Sequence, residues 1–202
     1  MKKERISRRT FSRISAGIGA GLPAVSAMNV MGANEKIAIG LIGCSGRGMK
    51  VMRTFQRNGA EFRAVCDVDR KRLEEGQARA ENNAATYKDY RNLLERKDID
   101  AVLIATPPHW HALPFVDACE AGFDIYCEKP LGVTIWEGQQ MIKAARKFER
   151  VTQCGTQQHS APHYRDAVRL IHEGHIGKVT KVLCWNWGNS GEQGMGKAEP
   201  TE

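Results

Sequence analysis

From residue 36 onward, short apolar runs alternate with longer stretches whose apolar residues recur at helical spacing. The runs at 36–42, 61–66, 101–105, 123–127 and 151–154 are nearly all apolar, as strands covered on both faces are. The stretches between and after them predict helices over 49–57, 70–82, 87–95, 110–121, 136–148 and 161–173. Asn58-Gly59, Gly122 and Gly174 stand where those helices would stop. Alternating strands and helices predict an α/β fold, a Rossmann-type doubly wound parallel sheet with helices on both faces. After Gly177 the pattern changes. Residues 179–187 alternate, with Lys181, Leu183, Trp185 and Trp187 on one side, and predict a strand of a second, antiparallel sheet. The expected organisation is a signal segment and linker at 1–33, a nucleotide-binding domain at 34–158, and at 159–202 the start of a truncated α/β substrate domain.

Charge changes this picture only at the amino terminus. The net charge is +7 over 202 residues. Residues 1–27 hold Lys2, Lys3, Arg5, Arg8, Arg9 and Arg13 against Glu4, a net of +5 that leaves +2 for the rest. No basic stripe with interleaved aromatics follows, so nucleic acid is not an expected partner. A basic segment, then a mild apolar stretch at 14–30 interrupted by Pro23, then Val25-Ser26-Ala27, has the order of a cleavable signal. Ser7-Arg8-Arg9-Thr10-Phe11-Ser12 resembles a twin-arginine address, which predicts export of the folded protein to a bacterial periplasm without stable membrane insertion. The six cysteines form neither a CxxC pair nor a set at zinc spacing, and several lie in or beside predicted strands, where a free cysteine behaves as a small hydrophobe.

The first candidate for chemistry is the turn Gly43-Cys44-Ser45-Gly46-Arg47-Gly48, set after a strand and before a helix. A dinucleotide fingerprint wants one glycine for a tight turn, a second for close approach of the pyrophosphate, and a third for helix packing. Gly43 and Gly48 fill the first and third places. Ser45 holds the second, with Gly46 and Arg47 beside it. Phosphate would sit on the free N–H groups of the following helix. Asp67, at the end of the next strand, is the acid expected to accept hydrogen bonds from the adenine ribose. Its charge favours NAD over NADP, with Arg70 or Arg72 able to soften that preference. Asp69 is expected to cap a helix. Thr106 and Pro107, in Thr106-Pro107-Pro108-His109-Trp110-His111, would wall the cofactor groove, with His111 nearby. His109 and His111 lack a third ligand, so no metal is expected.

The second candidate is Glu128-Lys129-Pro130, at the end of a buried strand, where open α/β sheets bind ligands. Pro130 stops the strand. Hydride loss from a carbinol carbon requires the hydroxyl proton to leave as well. A positioned Lys129 ammonium would hold that oxygen and stabilise developing negative charge. Glu128 would orient the lysine.

These motifs, in this order, resemble the Gfo/Idh/MocA oxidoreductases: residues 40–48, Cys66-Asp67-Val68-Asp69, Ala105-Thr106-Pro107-Pro108 with His111, and Glu128-Lys129-Pro130-Leu131-Gly132. Gly155-Thr156-Gln157-Gln158-His159, Tyr164-Arg165 and residues 174–179 look like the family's crossing into its second domain. The resemblance spans roughly residues 35–187 and rests on the ordered set. It implies NAD as cofactor, with Gly43, Ser45, Gly46, Arg47, Gly48, Asp67, Thr106, Pro107, His111, Glu128 and Lys129 around it. It implies Lys129 as the catalytic lysine, a cis Lys129-Pro130 bond, a sugar or cyclitol as substrate, and a homo-oligomer at full length. Ser45 departs from the usual glycine, and the family's downstream Asp and His have no counterpart before Glu202. Two rival readings stand beside the dehydrogenase. One is a redox-neutral, NAD-dependent glycoside-cleaving enzyme, whose known relatives commonly lack a clean Glu-Lys-Pro. The other is a nucleotide-binding module without catalysis.

Overall fold

Side chains along a strand alternate between the two faces of its sheet, and here both faces are covered. Strand β1 (Ala38–Ile42) is buried at every position. Its Ile39 and Leu41 join one apolar layer, while Ala38 and Ile42 join the other. The structure is a computed structural model and describes residues 36–80 and 84–185. The expected signal and linker lie outside the described residues.

Helix α1 (Gly46–Arg57) follows β1, then β2 (Glu61–Cys66), α2 (Arg70–Arg79), β3 (Ala85–Tyr87) and α3 (Tyr90–Leu94). Next come β4 (Ala101–Ile104), α4 (Ala112–Ala121), β5 (Asp124–Glu128), α5 (Ile135–Lys147), β6 (Thr152–Gly155) and α6 (Pro162–His172). The strands form one parallel sheet in the order β3-β2-β1-β4-β5-β6. That is the doubly wound order expected of a dinucleotide-binding fold, with the chain reversing direction across the sheet between β1 and β4. One layer packs Met52, Val51 and Leu73 of α1 and α2 onto Leu41, Phe62, Val65 and Leu103. The other packs Leu93, Phe115, Ala118 and Met141 of α3, α4 and α5 onto Ile42, Val102, Ile104 and Ile125.

The local stops and starts have visible causes. Asp69 caps α2 by accepting from the Arg72 N–H at 3.0 Å, as expected. Gly122 ends α4 in the left-handed region at φ +93. Helix α5 opens on a capping box: Thr134 accepts from the Glu137 N–H, and the Glu137 carboxylate accepts from the N–H groups of Val133 and Thr134. Those bonds hold the Glu137 carboxyl below its ordinary range.

Four expectations need correction. Helix α1 begins at Gly46 and not at residue 49, because the turn is shorter than the glycine spacing suggests. Residues 85–87 form a strand; Tyr87 belongs to it, and the helix expected from 87 starts at Tyr90. The 3-10 turn Pro108–Trp110 delays the helix expected at 110 until Ala112. Residues 179–185 are not a strand: they pair with no neighbour among the described residues, and a strand without a ladder leaves its N–H and C=O groups unpaired. Trp187 lies outside the described residues. Val182, Leu183 and Trp185 are exposed.

Four of the six cysteines behave as small buried hydrophobes. Cys44, Cys66, Cys119 and Cys127 are buried and free. Burial pushes the thiols of Cys44, Cys66 and Cys127 up to about 12, and that of Cys119 up to about 11. Thiolates, not thiols, attack disulfide reagents. A colorimetric thiol titration of the native chain at pH 8 is expected to label exposed Cys184 readily and half-buried Cys154 slowly. The four buried thiols should react only after denaturant is added. Rapid native labelling of Cys44 or Cys66 would contradict their burial, the first in the layer under α2 and the second in the layer under α3.

Candidate cofactor and active site

The carboxyl ends of β1, β2, β3 and β4 open onto one cleft of about 660 Å³. Gly43 and Ser45 line it after β1, Asp67 and Val68 after β2, Lys88 to Arg91 after β3, and Thr106 and Pro107 after β4. The cleft therefore sits at the crossover between β1 and β4, where such sheets bind ligands.

The glycine turn is built by close backbone contact. Gly43 has φ +97, and a Cβ there would lie 2.7 Å from the backbone of Ala105 and Thr106. A Cβ on Gly48 would lie 2.1 Å from the Gly43 carbonyl oxygen. These two positions accept glycine alone, which satisfies the tight-turn and packing places of the fingerprint. A Cβ on Gly46 would meet nothing within 4 Å. Ser45 stands before the first turn of α1 with extended backbone, and its hydroxyl makes no cap bond. The first N–H groups of α1 thus have no side-chain cap, and they have no intrahelical acceptor either. This is a seat for an anion, so the residues present fit a dinucleotide pyrophosphate.

Asp67 is placed by two backbone donors. Its Oδ2 accepts from the Cys44 N–H at 2.8 Å and its Oδ1 from the Asp69 N–H at 3.0 Å. The acid therefore latches the glycine turn to the end of β2, a role that residue spacing does not announce. Each oxygen keeps a lone pair for a further donor. Basic residues share the cleft, but its three arginines are engaged, Arg47 with Glu128. Arg72 faces Asp69 at 3.9 Å, and Arg91 pairs with Asp89 at 3.0 Å.

Glu128 is buried, and it bonds Arg47. The Arg47 guanidinium donates to Oε1 from Nε at 2.8 Å, with its terminal nitrogen at 2.7 Å, and it also donates to Gln157 at 3.0 Å. The bond to Glu128 raises the arginine further above its ordinary range. Glu128 Oε2 accepts from the Lys129 N–H at 3.3 Å. Gly155 leaves room for this carboxylate, since a Cβ there would lie 2.7 Å from Oε1. Glu128 thus ties α1 to the ends of β5 and β6. Lys129 follows directly, with an exposed side chain and a cis bond to Pro130.

Most of the expected site residues fall into two groups, while Gly46, exposed at the start of α1, and Lys129 belong to neither. Gly43, Ser45, Arg47, Asp67, Thr106 and Pro107 line the cleft. Gly48, His111 and Glu128 are buried behind it, shaping the turn and the strand ends. Lys129 stands at the end of β5, next to β4 in the sheet. Residues 88–91 and Trp110 line the cleft unannounced. The short strand β3 is the signal that would have placed 88–91 there.

These features define a nucleotide-binding α/β domain with a lysine at a neighbouring strand end. Residues 37–156 match the oxidoreductase family with an NAD-binding Rossmann fold, the Gfo/Idh/MocA family. The chain belongs to that family. It is 29% identical over 202 residues to a glycosyl hydrolase family 109 protein of Saccharopolyspora erythraea, covering 86% of this chain and 44% of the relative. Among solved structures it resembles myo-inositol 2-dehydrogenase from Lactobacillus plantarum, with TM-score 0.67 and 27% identity over 72% of this chain and 43% of that one. It also resembles the WlbA dehydrogenase of Chromobacterium violaceum in complex with NADH and UDP-GlcNAcA, with TM-score 0.66 and 26% identity over 72% and 42%. The chain spans less than half the length of each.

Proposed function

We propose that the protein is an NAD-dependent oxidoreductase acting on a sugar or polyol, with Lys129 as its acid–base group. The observation that carries this reading is the pairing of a glycine-only cradle, Gly43 and Gly48, with Asp67 across one cleft and Lys129 at the end of β5. The turn and the start of α1 would hold the pyrophosphate, Asp67 the adenine ribose, and Thr106 and Pro107 the wall. Bound NAD supplies a site that takes up or returns hydride. Lys129 holds the substrate oxygen and moves its proton, while the Arg47–Glu128 pair fixes the backbone beneath it. Ser7 to Ser12 support the further proposal that the protein is exported by the twin-arginine route.

Asp67 sets the expected cofactor preference. A 2′-phosphate would face its carboxylate, and Arg72 and Arg91 are drawn to Asp69 and Asp89. NADH is expected to bind at least about tenfold tighter than NADPH, equivalent to about 1.4 kcal/mol. Titration with each reduced cofactor, followed by nicotinamide fluorescence, measures this. Equal or tighter binding of NADPH would remove Asp67 from the ribose site.

A second reading is favoured by the family 109 relative, which aligns over most of this chain. In it the whole protein cleaves a glycoside and returns the hydride to the same sugar. Net NADH accumulation with a free sugar or cyclitol supports the dehydrogenase. Glycoside cleavage without net reduction supports the alternative.

A further inference from the structure

His111 is the one fully buried histidine of the described residues, at 1% exposure. It stands at the head of α4, yet its side chain caps no helix. Both ring nitrogens face backbone carbonyls instead. Nδ1 lies 2.6 Å from the Pro130 oxygen and Nε2 lies 2.7 Å from the Thr106 oxygen. Both carbonyls are acceptors only, so a ring bonded to both at once carries N–H on each nitrogen, as an imidazolium does.

The two carbonyls belong to different walls. Thr106 lines the cleft after β4, and its hydroxyl closes the loop by donating to the Trp110 carbonyl at 2.9 Å. Pro130 follows Lys129 directly after β5. No other side chain among the described residues bonds the Pro130 carbonyl. A buried ring spanning these two loops sets the distance between the cleft wall and the lysine backbone.

We infer that His111 is a positioning residue: it holds the Thr106 wall of the cleft and the Lys129-Pro130 segment in one register. This rests on the proposed reading for its purpose, while the bridge itself is tested apart from turnover. His111 touches neither substrate nor cofactor in this account. It acts through the two carbonyls.

Amide side chains separate its two contacts. An Asn amide nitrogen reaches about as far as Nδ1, and a Gln amide nitrogen about as far as Nε2. His111→Asn is expected to keep the Pro130 bond and lose the Thr106 bond, and His111→Gln the reverse. Two measurements on the 202-residue chain read these losses. One is the ¹³C shift of the Pro130 carbonyl, observed through the Leu131 amide. The other is NADH affinity from nicotinamide fluorescence. In His111→Gln the Pro130 carbonyl should move upfield while the NADH Kd stays within about twofold of the parent. In His111→Asn the carbonyl should stay, and NADH should bind roughly five- to tenfold more weakly, the worth of about one hydrogen bond. A residue that merely fills space would disturb both readouts alike in both variants. That result, or no change in either variant, overturns the inference. If the parent chain does not bind NADH, the proposed function fails, and the carbonyl shifts still decide whether His111 bridges.

Discussion

Lys129→Ala is expected to lower turnover of the whole protein by ~10²–10⁴-fold, the usual loss for a removed acid–base group. NADH binding should change by less than about threefold, an energy below about 1 kcal/mol. The reason for the split is placement. The groups proposed to face the cofactor, Gly43, Ser45 and Asp67, lie after β1 and β2, while Lys129 lies after β5. Its side chain is exposed and takes no part in the packing that shapes the cleft. Lys129→Arg separates charge from proton transfer: it retains a cation at that place but cannot deprotonate. Both variants should therefore fold and bind nucleotide, and both should lose most of their rate. Steady-state kinetics with fluorescence titration measure the two quantities side by side. A Lys129→Ala enzyme of near-normal rate would make the lysine structural, and a matching loss of NADH affinity would move it into the cofactor seat.

Gly48→Ala should be the most damaging single methyl in the turn. Its Cβ would stand 2.1 Å from the Gly43 carbonyl oxygen, a backbone atom held by its own neighbours. Gly43 cannot yield easily, because its N–H donates to the Cys66 carbonyl at 2.8 Å. Overpacking of this kind costs about 3 kcal/mol. Helix α1 would have to move off the sheet, carrying its free N–H groups away from the anion seat. A fall in unfolding midpoint and loss of NADH binding should appear together. Gly46→Ala is the internal comparison, since its Cβ meets nothing within 4 Å. It should keep nearly parental stability, and alanine in a first helical turn is locally favoured over glycine. Equal damage from the two substitutions would show that the turn does not pack as described.

The sheet was legible in the sequence because its strands are covered on both faces, so burial leaves an unbroken apolar run in β1 and β4 and a largely apolar one in β2 and β5, broken by Glu61 and Arg63 in the first and bounded by Asp124 and Glu128 in the second. Strand β3 escaped because it has three residues, none of them fully buried, and sits at the sheet edge. The glycine turn and Asp67 were legible because a phosphate turn fixes residue types at short spacing. The Arg47–Glu128 pair was not, since its partners stand 81 residues apart and meet only once β1 and β5 are in one sheet. The His111 bridge was hidden for a related reason. A buried histidine in sequence looks like any other, and its acceptors are backbone atoms with no residue identity. Residues 179–185 misled because alternation marks a strand only where a neighbour offers a ladder.

Asp67 has a consequence for anyone altering cofactor preference. Admitting a 2′-phosphate by replacing this acid with a neutral or small residue is the obvious engineering step. Here the same carboxylate fastens the Cys44 N–H, and through it the phosphate turn, to the end of β2. On the proposed reading of Asp67, swapping it out would change selectivity and loosen the turn in one stroke. A redesign, or a natural lineage drifting toward NADP, needs a second substitution that fastens the turn anew before Asp67 is released.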